Sequence, residues 1–523
     1  MPIRMVDDPN DSFDNSNQGR SGGGGGRFPG GGGGGSLIAL LFGLIRNPVG
    51  LVLVLIVAGF LYFKDGCSGM MQNISSFATG GVLDPREFDK APVYEGLDET
   101  KNTLPEAVSL LKFAPAPGDQ GQQGSCVAWS SAYGARTILE ASSAGFNPNQ
   151  TAFSPSFMYN QIGLDGCQGS YIIRAMENLT KVGAVPLDEF PYNDQDCSRQ
   201  PSSQVMRDAS QYRMLGFTRL TRGDNVDNIS LYAIKEHLSK DVPVVIGMMV
   251  GGSFMQGMMG QEIWHPQDQD YSMMGFGGHA MCVIGYDDRK EGGAFQILNS
   301  WGSQWGQNGV AWVRYSDFKQ FVREAYGLNP MPKRGSAAAQ NLECSIGLVD
   351  NKTKQYIPLK LRAGNTFQTT GPIIKGTQFK MEVKNSAACY VYVLGLETDG
   401  SSYVLFPYPT KADPTKTKFS PYCGITGYRL FPRGMSMMAD SIGNKDWMAV
   451  VVSKDSMNVF RLNDAVNSSR SLGFAQAVNA AIREQAISGV SFTGAADGSM
   501  GFKTQARDGD KAAVACIVEI DKQ

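Results

Sequence analysis

Histidine is scarce in this chain of 523 residues: only His237, His265 and His279 are present. An excess of charge is also lacking, with 47 Lys and Arg against 49 Asp and Glu. No basic run is long enough to form a nucleic-acid groove, so no nucleic-acid partner is expected. The glycine runs at residues 22–26 and 30–35 have no strand before them and no Lys-Ser/Thr helix after them, which excludes a phosphate-cradling loop. The cysteines number nine, an odd total, so at least one stays unpaired. No cofactor and no metal site is expected.

The most informative run is Asp119-Gln120-Gly121-Gln122-Gln123-Gly124-Ser125-Cys126-Val127-Ala128-Trp129. It places a glutamine six residues before a cysteine that opens a helix-like segment. A cysteine on a helix is commonly a small buried hydrophobe. At a helix N-terminus, however, the macrodipole favours thiolate and makes the sulfur a candidate nucleophile. The amide of Gln120 is then a candidate donor to a developing oxyanion.

A thiol nucleophile needs a base. His237 lies in the charged run Lys235-Glu236-His237-Leu238-Ser239-Lys240 and reads as solvated. His265, followed by a proline, reads as a loop residue. His279 opens Ala280-Met281-Cys282-Val283-Ile284-Gly285, an apolar run that reads as a buried strand. Further on, Asn299 ends a short apolar strand and Trp301 follows among glycines. An amide there can orient an imidazole, and an indole can shield that bond from water.

Gln120, Cys126, His279 and Asn299-Ser300-Trp301-Gly302 occur in the order of the papain-like cysteine peptidases, the C1 family, which this chain resembles from about residue 104 to 328. The distance from Cys126 to His279 is close to the roughly 130–150 residues of that family. Leu104-Pro105-Glu106 resembles the start of a mature enzyme. Gly166-Cys167-Gln168-Gly169, Phe190-Pro191-Tyr192 and Val242-Pro243-Val244-Val245 resemble further family segments. Four positions depart from the pattern. Gln123 stands where a second cysteine is usual, Val127 replaces a tryptophan, Ser170 replaces a glycine, and Cys167 lacks its usual partner. The resemblance leaves Cys167 to pair with Cys197 or to remain free.

The resemblance implies an α+β fold with two lobes, one helical and one β-rich, and a cleft between them. Cys126 would start a central helix running to about residue 142, while His279 and Asn299 come from the β lobe. The implied reaction is hydrolysis of peptide bonds through a thioester, with a Cys126-His279-Asn299 triad, Gln120 in the oxyanion hole and Trp301 covering the imidazole. Gly169 and Ser170 would bind the substrate backbone. Two alternatives are a catalytically silent peptide-binding module and a transpeptidase on the same fold.

The length suggests three or four domain-sized pieces. Residues 1–36 read as a disordered, glycine-rich tail. Residues 37–63 are apolar except for Arg46-Asn47-Pro48, and read as a single transmembrane anchor kinked at Pro48. Arg20 and Arg27 before it, against Lys64 after it, favour the N-terminus inside and the peptidase on the extracytoplasmic side, periplasmic or extracellular. Residues 64–103 read as a linker too short for the inhibitory pro-segment common in the family. The peptidase domain would occupy residues 104–335.

Residues 340–523 read as a mostly β accessory domain. The alternating run Phe379-Lys380-Met381-Glu382-Val383, a hairpin turning at Asp399-Gly400, and strands near residues 447–452 and 512–520 support this. Residues 473–485 read as helix. Cys282, Cys389 and Cys516 lie in apolar runs and read as core. Its Tyr and Phe residues, read as exposed, leave two alternatives: a surface for a protein or glycan partner, or a plain stabilising sandwich.

Overall fold

The apolar run that opens at Gly277 becomes the spine of a sheet. In the computed structural model, which describes residues 3–8, 77–221, 229–334, 341–410, 413–504 and 511–523, strand Gly277–Asp287 is buried over most of its length. The sheet order is Phe217–Arg219, Val322–Leu328, Val244–Val250, Gly277–Asp287, Ala294–Leu298, Val310–Arg314, Ile263–Trp264, with Ala107–Ser109 also paired to the spine. A strand buried on both faces needs apolar side chains at every position, which is why this run shows no alternation.

Against the spine packs the helical lobe. Its central helix begins at Cys126–Ala128, continues through a π-helical stretch, Trp129–Arg136, and ends with Thr137–Ala144. A Cβ at Gly134 would lie 3.2 Å from the Cβ of Cys282, so the missing side chain lets helix and spine approach. Pro155–Ile162 is capped by Ser154, whose hydroxyl accepts the Phe157 N–H, with Pro155 in the first turn where no donor is needed. Ile172–Lys181 buries Ile172, Ile173, Ala175, Met176 and Leu179 on one face.

The C-terminal region is a sandwich of an eight-stranded and a seven-stranded sheet. Alternation decides its layers. Met448, Val450 and Val452 join Ile346, Met381 and Val383 in the core between the sheets. Ala449 and Val451 point the other way, under helices Val459–Ser468 and Phe474–Ala481. The first of these helices was not anticipated, because Asn463, Asp464 and Asn467 interrupt its apolar stripe with polar residues.

Two expectations are corrected. Part of the tail is ordered: Ile3–Asp7 is an edge strand paired antiparallel to Met435–Ala439 of the sandwich. Five residues are too short a period-two signal to stand out in polar surroundings. His237 is buried, not solvated. Its Nδ1 lies 2.7 Å from the Ala233 carbonyl, and burial lowers its pKa to about 4.

The linker from residue 84 onward is laced between the two regions. Val93 donates to Lys418 O and accepts from Ser420 N, while Pro92 and Tyr94 bond the backbone of Arg219. Further along, Asp98 N donates to Tyr428 O. The peptidase and sandwich regions thus belong to one compact unit. Residues 37–63 lie outside the described residues; among those described, no helix is long and apolar enough to cross a membrane.

Candidate active site

The end of strand Ala294–Leu298, the start of strand Gly277–Asp287 and the start of the central helix meet at one point. There the side chains of Gln120, Cys126, His279, Asn299 and Trp301 converge. Asn299 Oδ1 lies 2.7 Å from His279 Nε2 and also accepts the Ser300 N–H at 2.8 Å. This leaves Nδ1 of His279 without a hydrogen-bond partner among the described residues. Cys126 Sγ accepts the N–H of Ala280, the next residue to His279, at 3.4 Å. The thiol thus lies against the strand backbone that carries the imidazole.

Trp301 stacks on His279 with centroids 4.3 Å apart and planes 25° from parallel. Phe254 and Trp305 meet Trp301 edge-on. The indole removes water from the Asn299–His279 bond, which strengthens it.

Gln120 is fully buried and its amide is held at both ends. Ser300 Oγ donates to Oε1 at 2.6 Å, and Nε2 donates to Gln123 O at 2.9 Å. A hydroxyl fixed on Oε1 forces the NH2 to face the cysteine's loop, and one of its two protons stays available. Ser300 was part of the quoted motif, but no role was read for it. Ser300→Ala is expected to lower kcat about tenfold with little change in KM, since an unanchored amide presents its donor only part of the time; steady-state kinetics on a peptide substrate checks this.

The departures from the pattern find their partners here. Gln123 Nε2 reaches Asn193 O at 3.3 Å, and Tyr192 Oη bonds Gln120 O at 2.8 Å and Ser125 Oγ at 2.6 Å. Polar bonds thus tie the Cys126 loop to the Tyr192 loop where a cysteine is absent. Cys167 is bonded to Cys197, which pins the loop that carries Gly169 and Ser170. Ser170 turns its hydroxyl away, donating to Ile162 O at 2.9 Å.

A segment that sequence reasoning missed fills this site. Residues 77–83 form a strap across it. Ser170 N donates to Gly80 O and Val82 N to Ser170 O, each at 2.9 Å, and Gly81 N donates to Gly278 O at 3.0 Å. Phe77 stacks on Trp301 with centroids 4.8 Å apart, and Trp301 Nε1 donates to Ala78 O at 2.9 Å. Leu83 inserts beside Gly247, Ile172 and Glu324, whose carboxyl burial pushes up to about 8. The short linker read as unable to supply a pro-segment nevertheless covers the site with seven residues. Most of its bonds are backbone bonds, which leave no signature in side chains.

Under the strap, Cys126 and His279 have no solvent exposure. Burial raises the Cys126 thiol to about 12 and lowers His279 to about 4. The expected depression of the thiol pKa by the helix end is thus overturned: loss of solvation outweighs the dipole and the N–H groups around the sulfur. In the covered state the pair is neutral.

A cysteine, an imidazole, an amide bonded to it and a held carboxamide, set between a helix start and a strand start, make up the candidate site. Residues 113–327 match the model of the papain family cysteine proteases. An uncharacterized peptidase C1-like protein of Acanthamoeba polyphaga mimivirus is 27% identical over 231 residues, covering 42% of this chain and 69% of that protein. A cathepsin B-like protein of Giardia intestinalis is 26% identical over 265 residues, covering 47% and 78%. Among solved structures, xylellain, a cysteine protease from Xylella fastidiosa, is 24% identical with a TM-score of 0.40, covering 49% of this chain and 97% of that one. This region of the chain is a papain family cysteine peptidase.

Proposed function

We propose that the chain is a cysteine endopeptidase held latent by its own strap. The observation that carries this is the 2.7 Å contact of Asn299 with His279 Nε2, which leaves Nδ1 as the ring nitrogen able to take the thiol proton. When the strap lifts, water re-enters and the Cys126 proton moves to His279 Nδ1, giving a thiolate beside an imidazolium. The sulfur attacks the scissile carbonyl carbon, and the carbonyl oxygen takes the negative charge. Gln120 Nε2 and the Cys126 N–H hold that oxyanion. His279 gives its proton to the leaving amine as the C–N bond breaks, which leaves a thioester. His279 then takes a proton from water, whose oxygen displaces the sulfur and restores the thiol.

In the covered state the Gly81 N–H donates to Gly278 O and the Gly80 carbonyl accepts from Ser170 N, so the backbone groups of the strap are engaged with the walls of the site. Substrates are peptides or proteins. A peptidyl chloromethyl ketone tests the assignment: peptide mapping should find its adduct on Cys126, at a rate that rises when the strap is displaced by Gly80→Val. Adducts spread over other thiols, or no adduct even in that variant, would overturn the reading.

A further inference from the structure

We propose that residues 3–8 and the C-terminal sandwich face the same side of any membrane the chain meets, so that the apolar stretch 37–63 makes no net crossing. Strand Ile3–Asp7 pairs along its whole length with Met435–Ala439, from Ile3 opposite Ala439 to Asp7 opposite Met435. Ile3 is fully buried in the core between the two sheets. Tyr403 Oη donates to Ile3 O at 2.9 Å and accepts the Ile3 N–H at 3.0 Å.

The next residue is fastened as firmly. Asp8 N donates to Gly434 O at 3.2 Å. Its carboxylate accepts from Ser436 Oγ at 3.1 Å and from Asn351 Nδ2 at 3.2 Å, and pairs with Lys380 at 3.3 Å. Asp8 and Lys380 are both buried, and a buried ammonium that loses its carboxylate partner is strongly destabilised. The opening residues are therefore built into the sandwich.

A single crossing by residues 37–63 would put those residues on the far side of a hydrocarbon layer about 30 Å thick. Exchange between copies does not relieve this. In a membrane whose copies share one orientation, every copy's opening strand would face away from every sandwich.

The test uses the full-length chain in sealed membrane vesicles. Arg4→Cys and Gln523→Cys are probed with a membrane-impermeant maleimide, and labelled sites are read by peptide mapping. Both positions should label from the same side: both before lysis, or both only after it. In a second variant, Arg4→Cys with Met438→Cys, which stand opposite each other in the register, mild oxidation should join the two introduced thiols. Labels on opposite sides, or no cross-link in the second variant, would overturn the proposal.

Discussion

Replacing Cys126 with serine is expected to reduce peptide cleavage on the order of 10⁴-fold or more, with the fold retained. Serine matches the thiol in size, and the position lies in a helix whose neighbours Val127 and Ala128 are buried. What is lost is the ionisation. An imidazole can hold the proton of a thiol in the resting enzyme, whereas an alkanol gives up its proton only during attack. The geometry at Asn299 and Gln120 was set around sulfur and offers serine no compensation. The measurement is kcat/KM on a peptide substrate, with thermal melting as the control for folding. A loss of less than about tenfold would place the nucleophile elsewhere and remove the basis for the proposed mechanism.

How far the site was legible depends on where its information resides. Cys126, His279 and Asn299 each stand at the end of a regular element, and element ends are marked locally by glycines and by the onset of an apolar run. Their order and spacing then identified the peptidase region. The spine was legible for the same reason, as a run of apolar residues too continuous for an exposed strand. The strap was not legible. It is held mainly by Ser170 and Gly278 backbone groups, and its Gly80-Gly81 pair reads in isolation as a flexible linker.

The ionisation state of Cys126 was misjudged because the dipole is a property of the helix, whereas burial comes from a segment some forty residues upstream. His237 was misplaced for a related reason: the Lys235 and Lys240 that flank it are charged, while the helix face that carries His237 packs under Tyr94 at a ring separation of 4.9 Å. In each case the deciding contact is long-range, and only the assembled structure supplies it.

Gly80→Val is expected to activate the enzyme by about 5- to 150-fold. A Cβ at Gly80 would lie 2.1 Å from Gly124 O and 2.6 Å from Gly124 Cα. These are backbone atoms, and Gly124 has the backbone of Gly169 and Cys167 beside it, 3.1 and 3.4 Å from where a Cβ of its own would stand, so the wall cannot yield. The strap must lift instead. Overpacking of this kind costs about 1–3 kcal/mol, and each 1.4 kcal/mol changes an equilibrium about tenfold, which gives the stated range for the rise in the uncovered population. The strap stays tethered, because Val93 and Asp98 downstream remain laced to the sandwich. Uncovering restores water to Cys126 and His279, so the neutral pair can become thiolate and imidazolium. Two readouts should therefore rise by the same factor: the initial rate of peptide cleavage and the rate at which iodoacetamide labels Cys126 near pH 6. Gly371→Val is the control, since a Cβ there meets nothing within 4 Å, and it should change neither rate. If Gly80→Val leaves both rates at the level of the unsubstituted chain, the strap does not gate the site, and the latency must be sought in the cleft walls themselves.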